Sequence, residues 1–173
     1  MTPARERDLF DCLQSLGIES QTHRHPPLHS VAESRDLRGE IAGGHCKSLF
    51  LKDKKGHFLL VALLEDRRLD MTGLFKSGRL PVGRLSFARP EAMMRMLGVA
   101  PGSVTPFALI NAARCGVGPQ QLTVVLDRQM MDHERLNYHP LHNEATTTIR
   151  AADLMAFIRH FGFEPVIVDF DNL

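Results

Sequence analysis

Three features carry residue types able to work on a carbonyl or a phosphate. Lys47 follows the Gly43-Gly44 bend and opens an apolar run, placing a cation at the start of a strand. Such a lysine either holds an anionic or sugar oxygen or snorkels to water. Leu97–Asn111, LGVAPGSVTPFALIN, puts two glycines, two prolines and two hydroxyl residues within ten positions. A loop of that kind is stiff and exposes backbone N–H groups, which either hold a carbonyl or anion or simply complete an ordered turn. His139 stands at a strand end before Pro140. Among nine histidines, His139-x-x-His142 and His23-x-His25 are the closest pairs, but no H-E-x-x-H helix or cysteine cluster supports a metal. There is no G-x-S-x-G elbow, P-loop or G-x-G-x-x-G turn. These residue types alone do not name a reaction.

The elements that must position them are short and mixed. Cys46–Lys52, the turn Asp53-Lys54-Lys55-Gly56 and His57–Leu63 read as a hairpin, with Lys47, Leu49 and Leu51 on one face. Thr2-Pro3 reads as a cap and first residue of a helix carrying Leu9, Leu13 and Leu16 and stopped by Gly17. Ile18–His25 is a first strand, and Ser30-Val31-Ala32-Glu33 is a capping box. Asp70 caps a short helix through Phe75, Leu85–Ala88 is a brief strand, and Pro90 opens a helix with Met93, Met94 and Leu97 inward. The glycine-proline loop is then expected between a helix and a strand, followed by a loop over Ala112–Gln121. Leu122–Leu126 is a buried strand, and Asp127 caps one helical turn. Leu136–Leu141 and Thr146–Ile149 are strands, Ala151–Phe161 is a helix, and Pro165–Phe170 is extended. The class is α+β: a single domain over 1–173, with a mixed, largely antiparallel sheet surrounded by helices.

Composition narrows the setting. Hydrophobic content of 43% and charged content of 24% are ordinary for a soluble globular chain. No apolar run approaches the length of a membrane span, and the first residues lack a signal-peptide core. Three widely spaced cysteines point to reduced thiols and a cytoplasmic setting. Net charge is +1, yet His45–Arg84 holds nine Lys/Arg against four Asp/Glu. That face, with Lys52, Lys54 and Lys55 on or beside its hairpin turn, can touch a phosphate backbone.

Four stretches occur in order over nearly the whole chain: HPP…S-V-x-E (His25–Glu33), CKSLFLKDKKG (Cys46–Gly56), RLSFARPE…LGVAPGSVTPFALIN (Arg84–Asn111) and LNYHPLHNEATTTI (Leu136–Ile149). Together they resemble the YbaK/prolyl-tRNA-synthetase-associated editing domain, closest to free-standing alanyl-tRNA(Pro) deacylases of the PrdX/ProX type. The resemblance implies hydrolysis, in trans, of the ester joining a wrong amino acid to tRNA(Pro), without metal or cofactor. It maps the essential lysine to Lys47, the GxxxP loop to Gly102–Pro106, and the late histidine to His139. Lys47 would fix the terminal nucleotide, N–H groups near Gly102 would stabilise the oxyanion, and His139 would orient substrate. His29, Ser30, Ser48, Val99, Thr105, Pro106 and Asn143 are the implied substrate-binding residues. The chain carries Ser48 where the family often has asparagine, and His29 where an aromatic residue is common. Prolyl-tRNA synthetase or an elongation factor is a further implied partner. The alternatives are a deacylase for serine or cysteine, a non-catalytic tRNA- or synthetase-binding module of the same fold, and a metal hydrolase.

Overall fold

The computed structural model describes residues 2–28 and 41–173. The element order is α1 (Glu6–Ser15), β1 (Gln21–Arg24), β2 (Gly44–Asp53), β3 (Phe58–Leu64), α2 (Met71–Lys76), β4 (Leu85–Phe87) and α3 (Pro90–Leu97). A 3-10 turn (Pro106–Ala108) leads into α4 (Leu109–Arg114), followed by β5 (Leu122–Asp127) and α5 (Arg128–Met131). Then come β6 (Arg135–Tyr138), β7 (Ala145–Arg150), α6 (Ala151–His160) and β8 (Val166–Val168).

The strands form one mixed sheet in the order β1-β7-β6-β2-β3-β5-β8, with β4 added to the end of β2. Among the described residues four pairings are antiparallel (β1–β7, β6–β7, β2–β3, β2–β4) and three parallel (β2–β6, β3–β5, β5–β8). This is the expected mixed sheet. Its centre is the hairpin, because β2 pairs with three other strands.

Local chemistry sets that hairpin. Asp53 is 2% exposed, and its carboxylate accepts from the N–H groups of Lys55 at 2.8 Å, His57 at 2.9 Å and Gly83 at 3.0 Å. Burial alone would raise its pKa. The three donors outweigh burial and hold the carboxyl below its usual range. Gly43 fixes the other end of β2: at φ +103 a side chain would be strained, and a Cβ would lie 2.8 Å from the Arg135 carbonyl oxygen. Glycine therefore lets β2 start against β6.

The two faces of the sheet bury different clusters. One face carries Phe50, Phe58, Leu60, Ala62, Leu136 and Tyr138 beneath α1, α3, α4 and α6. The other carries Leu51, Leu59, Val61 and Leu63 beneath Leu74 of α2 and Leu80. Each fully buried leucine or phenylalanine contributes roughly 1.5–3 kcal/mol by leaving water, so the alternation of β2 and β3 fixes the register.

Several elements differ from the sequence reading. Helix α1 starts at Glu6, not behind Thr2-Pro3, because the Ala4 N–H is drawn 2.6 Å from Asn111 Oδ1, leaving residues 2–4 outside the helix. In α3 the buried residues are Ala92, Met96 and Leu97, while Met94 is 50% exposed and Met93 only partly covered. The inward stripe is thus turned along the helix. The glycine-proline loop runs into helix rather than strand: Thr105 caps, Pro106 takes the first helical position, and the helix continues to Arg114. β6 stops at Tyr138 instead of Leu141, ahead of Pro140 and a Leu141 with φ +74. The capping box at Ser30–Glu33 lies outside the described residues, as do His29 and Ser30.

Candidate functional site

β6 runs parallel to β2, with Gly44 opposite Leu136 and His45 opposite Asn137. Two residues further along the chain come Lys47, within β2, and His139, just past the end of β6. At this seam the Cys46 thiol donates to the Gly44 carbonyl at 3.4 Å, and the buried Tyr138 hydroxyl donates to Met130 Sδ at 3.0 Å. Lys47 is half-buried on the face of Leu49 and Leu51. Burial holds its ammonium below the ordinary lysine range; Asp66 and Glu65 oppose that shift and Arg68 adds to it. Ser48 points to the other face, and its Oγ is buried without a hydrogen-bond partner among the described residues. A hydroxyl in that state costs free energy unless a ligand completes it.

The histidine follows from a tight turn. His139 Nδ1 lies 3.1 Å from the Ala145 carbonyl. A carbonyl only accepts, so in the neutral ring Nδ1 carries the proton and Nε2 is the acceptor. His25 repeats the pattern: Nδ1 donates to the Pro26 carbonyl at 2.9 Å, and Nε2 accepts from the Thr146 hydroxyl at 2.8 Å. The two rings meet edge to face with centroids 6.5 Å apart.

Leu141, φ +74, is the single non-glycine residue of positive φ among the described residues. That conformation costs about 1–2 kcal/mol, and a clamp holds it. His142 Nδ1 accepts from the Glu144 N–H at 3.1 Å, which leaves Nε2 to donate to Glu6 Oε1 at 2.9 Å. Arg24 grips the same carboxylate through two bonds of 2.9 and 2.8 Å. The arginine dominates in holding Glu6 below the usual carboxylate range, burial opposes it, and His142 adds to it. Next in the turn, Asn143 donates to the Leu28 carbonyl at 3.3 Å.

The glycine-proline loop reaches this turn. Ser103 N–H donates to the Ala100 carbonyl at 3.0 Å, with Pro101 and a Gly102 of φ +87 between them. This is the type II turn that Pro-Gly favours. A Cβ on Gly102 would sit 3.9 Å from Asn143 Nδ2. Neither the Gly102 nor the Val104 N–H donates a hydrogen bond among the described residues. The loop is anchored at both ends. Asn111, 1% exposed, donates to the Leu97 carbonyl at 2.9 Å, and the Thr105 hydroxyl accepts from the Phe107 N–H at 3.3 Å. Val99 and Thr105 are 2% and 0% exposed, and Pro106 is buried beside them.

The structure thus gathers Gly102 and Asn143, sets His139 one residue past the end of β6, the strand that pairs with the strand of Lys47, and buries Val99, Thr105 and Pro106 in the loop. Lys54 and Lys55 are exposed at the hairpin tip and Lys52 is half-buried. Lys54 is seven residues along the strand from Lys47, roughly 23 Å at strand spacing. The sequence reading named neither Glu6 nor Arg24 and gave His142 and Asn111 no such role, because their partners lie far along the chain. His25 was visible only as one of a histidine pair and as the start of a motif.

A family model described as an aminoacyl-tRNA editing domain matches residues 25–157. The chain is 35% identical over 163 residues to a cattle (Bos taurus) protein named prolyl-tRNA synthetase associated domain-containing protein 1, covering 92% of each. It is 28% identical over 152 residues to the prolyl-tRNA editing protein ProX of Acetoanaerobium sticklandii, covering 87% of this chain and 88% of that one. Among solved structures, a hypothetical protein superposes with TM-score 0.71 at 20% identity, covering 93% and 97% of the two chains. A candidate trans-editing enzyme for prolyl tRNA synthetase superposes with TM-score 0.69 at 20% identity, covering 95% and 94%. These superpositions establish the shared fold.

Proposed function

The chain belongs to the aminoacyl-tRNA editing domain family, and from that premise we propose that it deacylates mischarged tRNA(Pro), with alanine as the amino acid removed. The observation carrying this reading is Lys47, a half-buried cation kept at the start of β2 on the strand beside His139. A half-buried ammonium on an otherwise apolar strand face can hold an anionic or sugar oxygen.

An aminoacyl ester is already activated, so the protein must place water and stabilise developing negative charge. Lys47 holds the phosphate or ribose oxygens of the terminal nucleotide and so fixes the ester. The N–H groups of Gly102 and Val104, unengaged among the described residues, supply the oxyanion donors. A ribose hydroxyl of the tRNA assists the attacking water, which removes the need for a strong protein base. His139, its proton held on Nδ1 by Ala145, orients substrate through Nε2. The orphaned Ser48 hydroxyl supports a polar contact to the aminoacyl group. Val99 and Pro106 form walls of a pocket that takes alanine and excludes proline, since a missing methylene or two changes binding by only ~1–3 kcal/mol in the synthetase.

Deacylation of tRNA(Pro) charged with alanine, serine, cysteine or proline, by wild type and Lys47→Ala, tests the reading. Loss of alanine with wild type only, and proline untouched, is the expected result. Hydrolysis of serine or cysteine instead would change the substrate. No hydrolysis with tRNA still bound would make the chain a binding module.

A further inference from the structure

The sheet face that carries His139 ends in an arginine pair. In the β6–β7 ladder Arg135 stands directly opposite Arg150, and Asn137 opposite Thr148. Asn137 and Thr148 are buried and hydrogen-bonded to each other, so this middle rung is satisfied. The arginine rung is not. Both side chains are exposed, and neither has a carboxylate within ion-pair distance among the described residues. Like charges directly opposite in an antiparallel pair destabilise the sheet. The two arginines also line a pocket of about 400 Å³ with Gln21, Thr148 and Glu19. Among the described residues Glu19 is its one carboxylate, and it pairs with neither arginine.

We propose that the Arg135–Arg150 rung is a phosphodiester site for the acceptor strand of tRNA, separate from the ester-binding end of the same face. Two guanidinium forks facing one concavity suit phosphate oxygens, which each accept two N–H bonds. Four residues separate Arg135 from His139, roughly 13 Å at strand spacing, a span of a few nucleotides. An RNA 3′ end fixed near Lys47 therefore brings its own upstream phosphates within reach of the pair. The inference rests on the reading of the chain as acting on tRNA. It adds a second point of attachment that orients the strand before the ester is hydrolysed.

The test is binding of uncharged tRNA(Pro) over a salt series, with hydrolysis of alanyl-adenosine, an ester without phosphodiesters, followed in parallel. Replacing both arginines (Arg135→Gln, Arg150→Gln) should weaken tRNA binding and flatten the log affinity–log salt slope by about 1.4–1.8, two contacts at ~0.7–0.9 each. The double lysine variant should recover most of the slope, and alanyl-adenosine hydrolysis should be unchanged. An unchanged slope would overturn the proposal, and so would an equal loss of alanyl-adenosine hydrolysis, which would place the pair's effect on the reaction site. A wild type that binds tRNA with this arginine-dependent slope yet hydrolyses no ester would keep the phosphate site and remove the deacylase reading.

Discussion

Glu6 Oε1 and His142 Nε2 are joined at 2.9 Å across 136 residues of sequence, tying the first turn of α1 to the turn that carries Asn143. The same carboxylate is gripped by Arg24, so one side chain braces β1, α1 and a turn containing a left-handed leucine.

Glu6→Ala should therefore loosen the turn. We expect a stability loss of about 1 kcal/mol, appropriate to a partly exposed charged hydrogen bond. Alanyl-tRNA deacylation should fall about tenfold in kcat/KM, equivalent to ~1.4 kcal/mol. Glu6→Gln, which keeps an acceptor for His142, should recover part of it. Thermal unfolding and single-turnover kinetics check both; full activity in Glu6→Ala would show that the turn holds itself.

Lys47 gives a test in which stability and activity separate. Because burial lowers its folded-state pKa, the unfolded chain binds more protons between that value and the ordinary lysine value near 10.4. Stability contributed by this group thus rises with pH through that window and is lowest below it. Lys47→Met should abolish deacylation without lowering Tm at neutral pH. A clear fall in Tm would mean that the lysine is structural.

Lys54 and Lys55 at the hairpin tip are expected to meet phosphates without reading bases. Reversing both to glutamate should weaken tRNA binding and reduce its salt dependence, measured as affinity against salt. An unchanged slope would remove the tip from the interface.

Asp53 should behave as a structural acid. Its carboxylate is held below the usual range by three backbone donors that outweigh burial. Its contribution is then complete above the unfolded value near 4 and is lost as pH falls through the lower folded value. Asp53→Ala should cost about 2–3 kcal/mol at neutral pH, and the gap to wild type should narrow below about pH 4. Denaturant unfolding at a series of pH values measures it.

The parts of the fold legible in sequence are those decided locally. Asp53 and Gly56 declare the hairpin, Asp70 and Asp127 cap short helices, and alternation along β2 sorts Leu49 and Leu51 from Phe50. Where two local signals competed, the reading slipped: Thr105-Pro106 begins a helix that was expected to be loop, and Thr2-Pro3 resembles a cap but serves as a strap to Asn111. In the site, the backbone turn at Pro101-Gly102 could be anticipated from its residues. The Glu6–His142 clamp could not, since no local pattern reports a partner so far along the chain.

The placing of Cys46 on β2 at the β2–β6 seam has a practical consequence. Burial pushes the Cys46 thiol up to about 12, with Tyr138 opposing the shift, whereas Cys115 is exposed. The reactive species is the thiolate. An alkylating reagent at neutral pH will mark exposed Cys115 first, while Cys12 and Cys46, both half-buried with thiols pushed up by burial, react more slowly. The labelling rate of Cys46, told apart from that of Cys12 by peptide mass, is thus a built-in clock for opening between the strand of Lys47 and the strand leading to His139, read with no substitution at all.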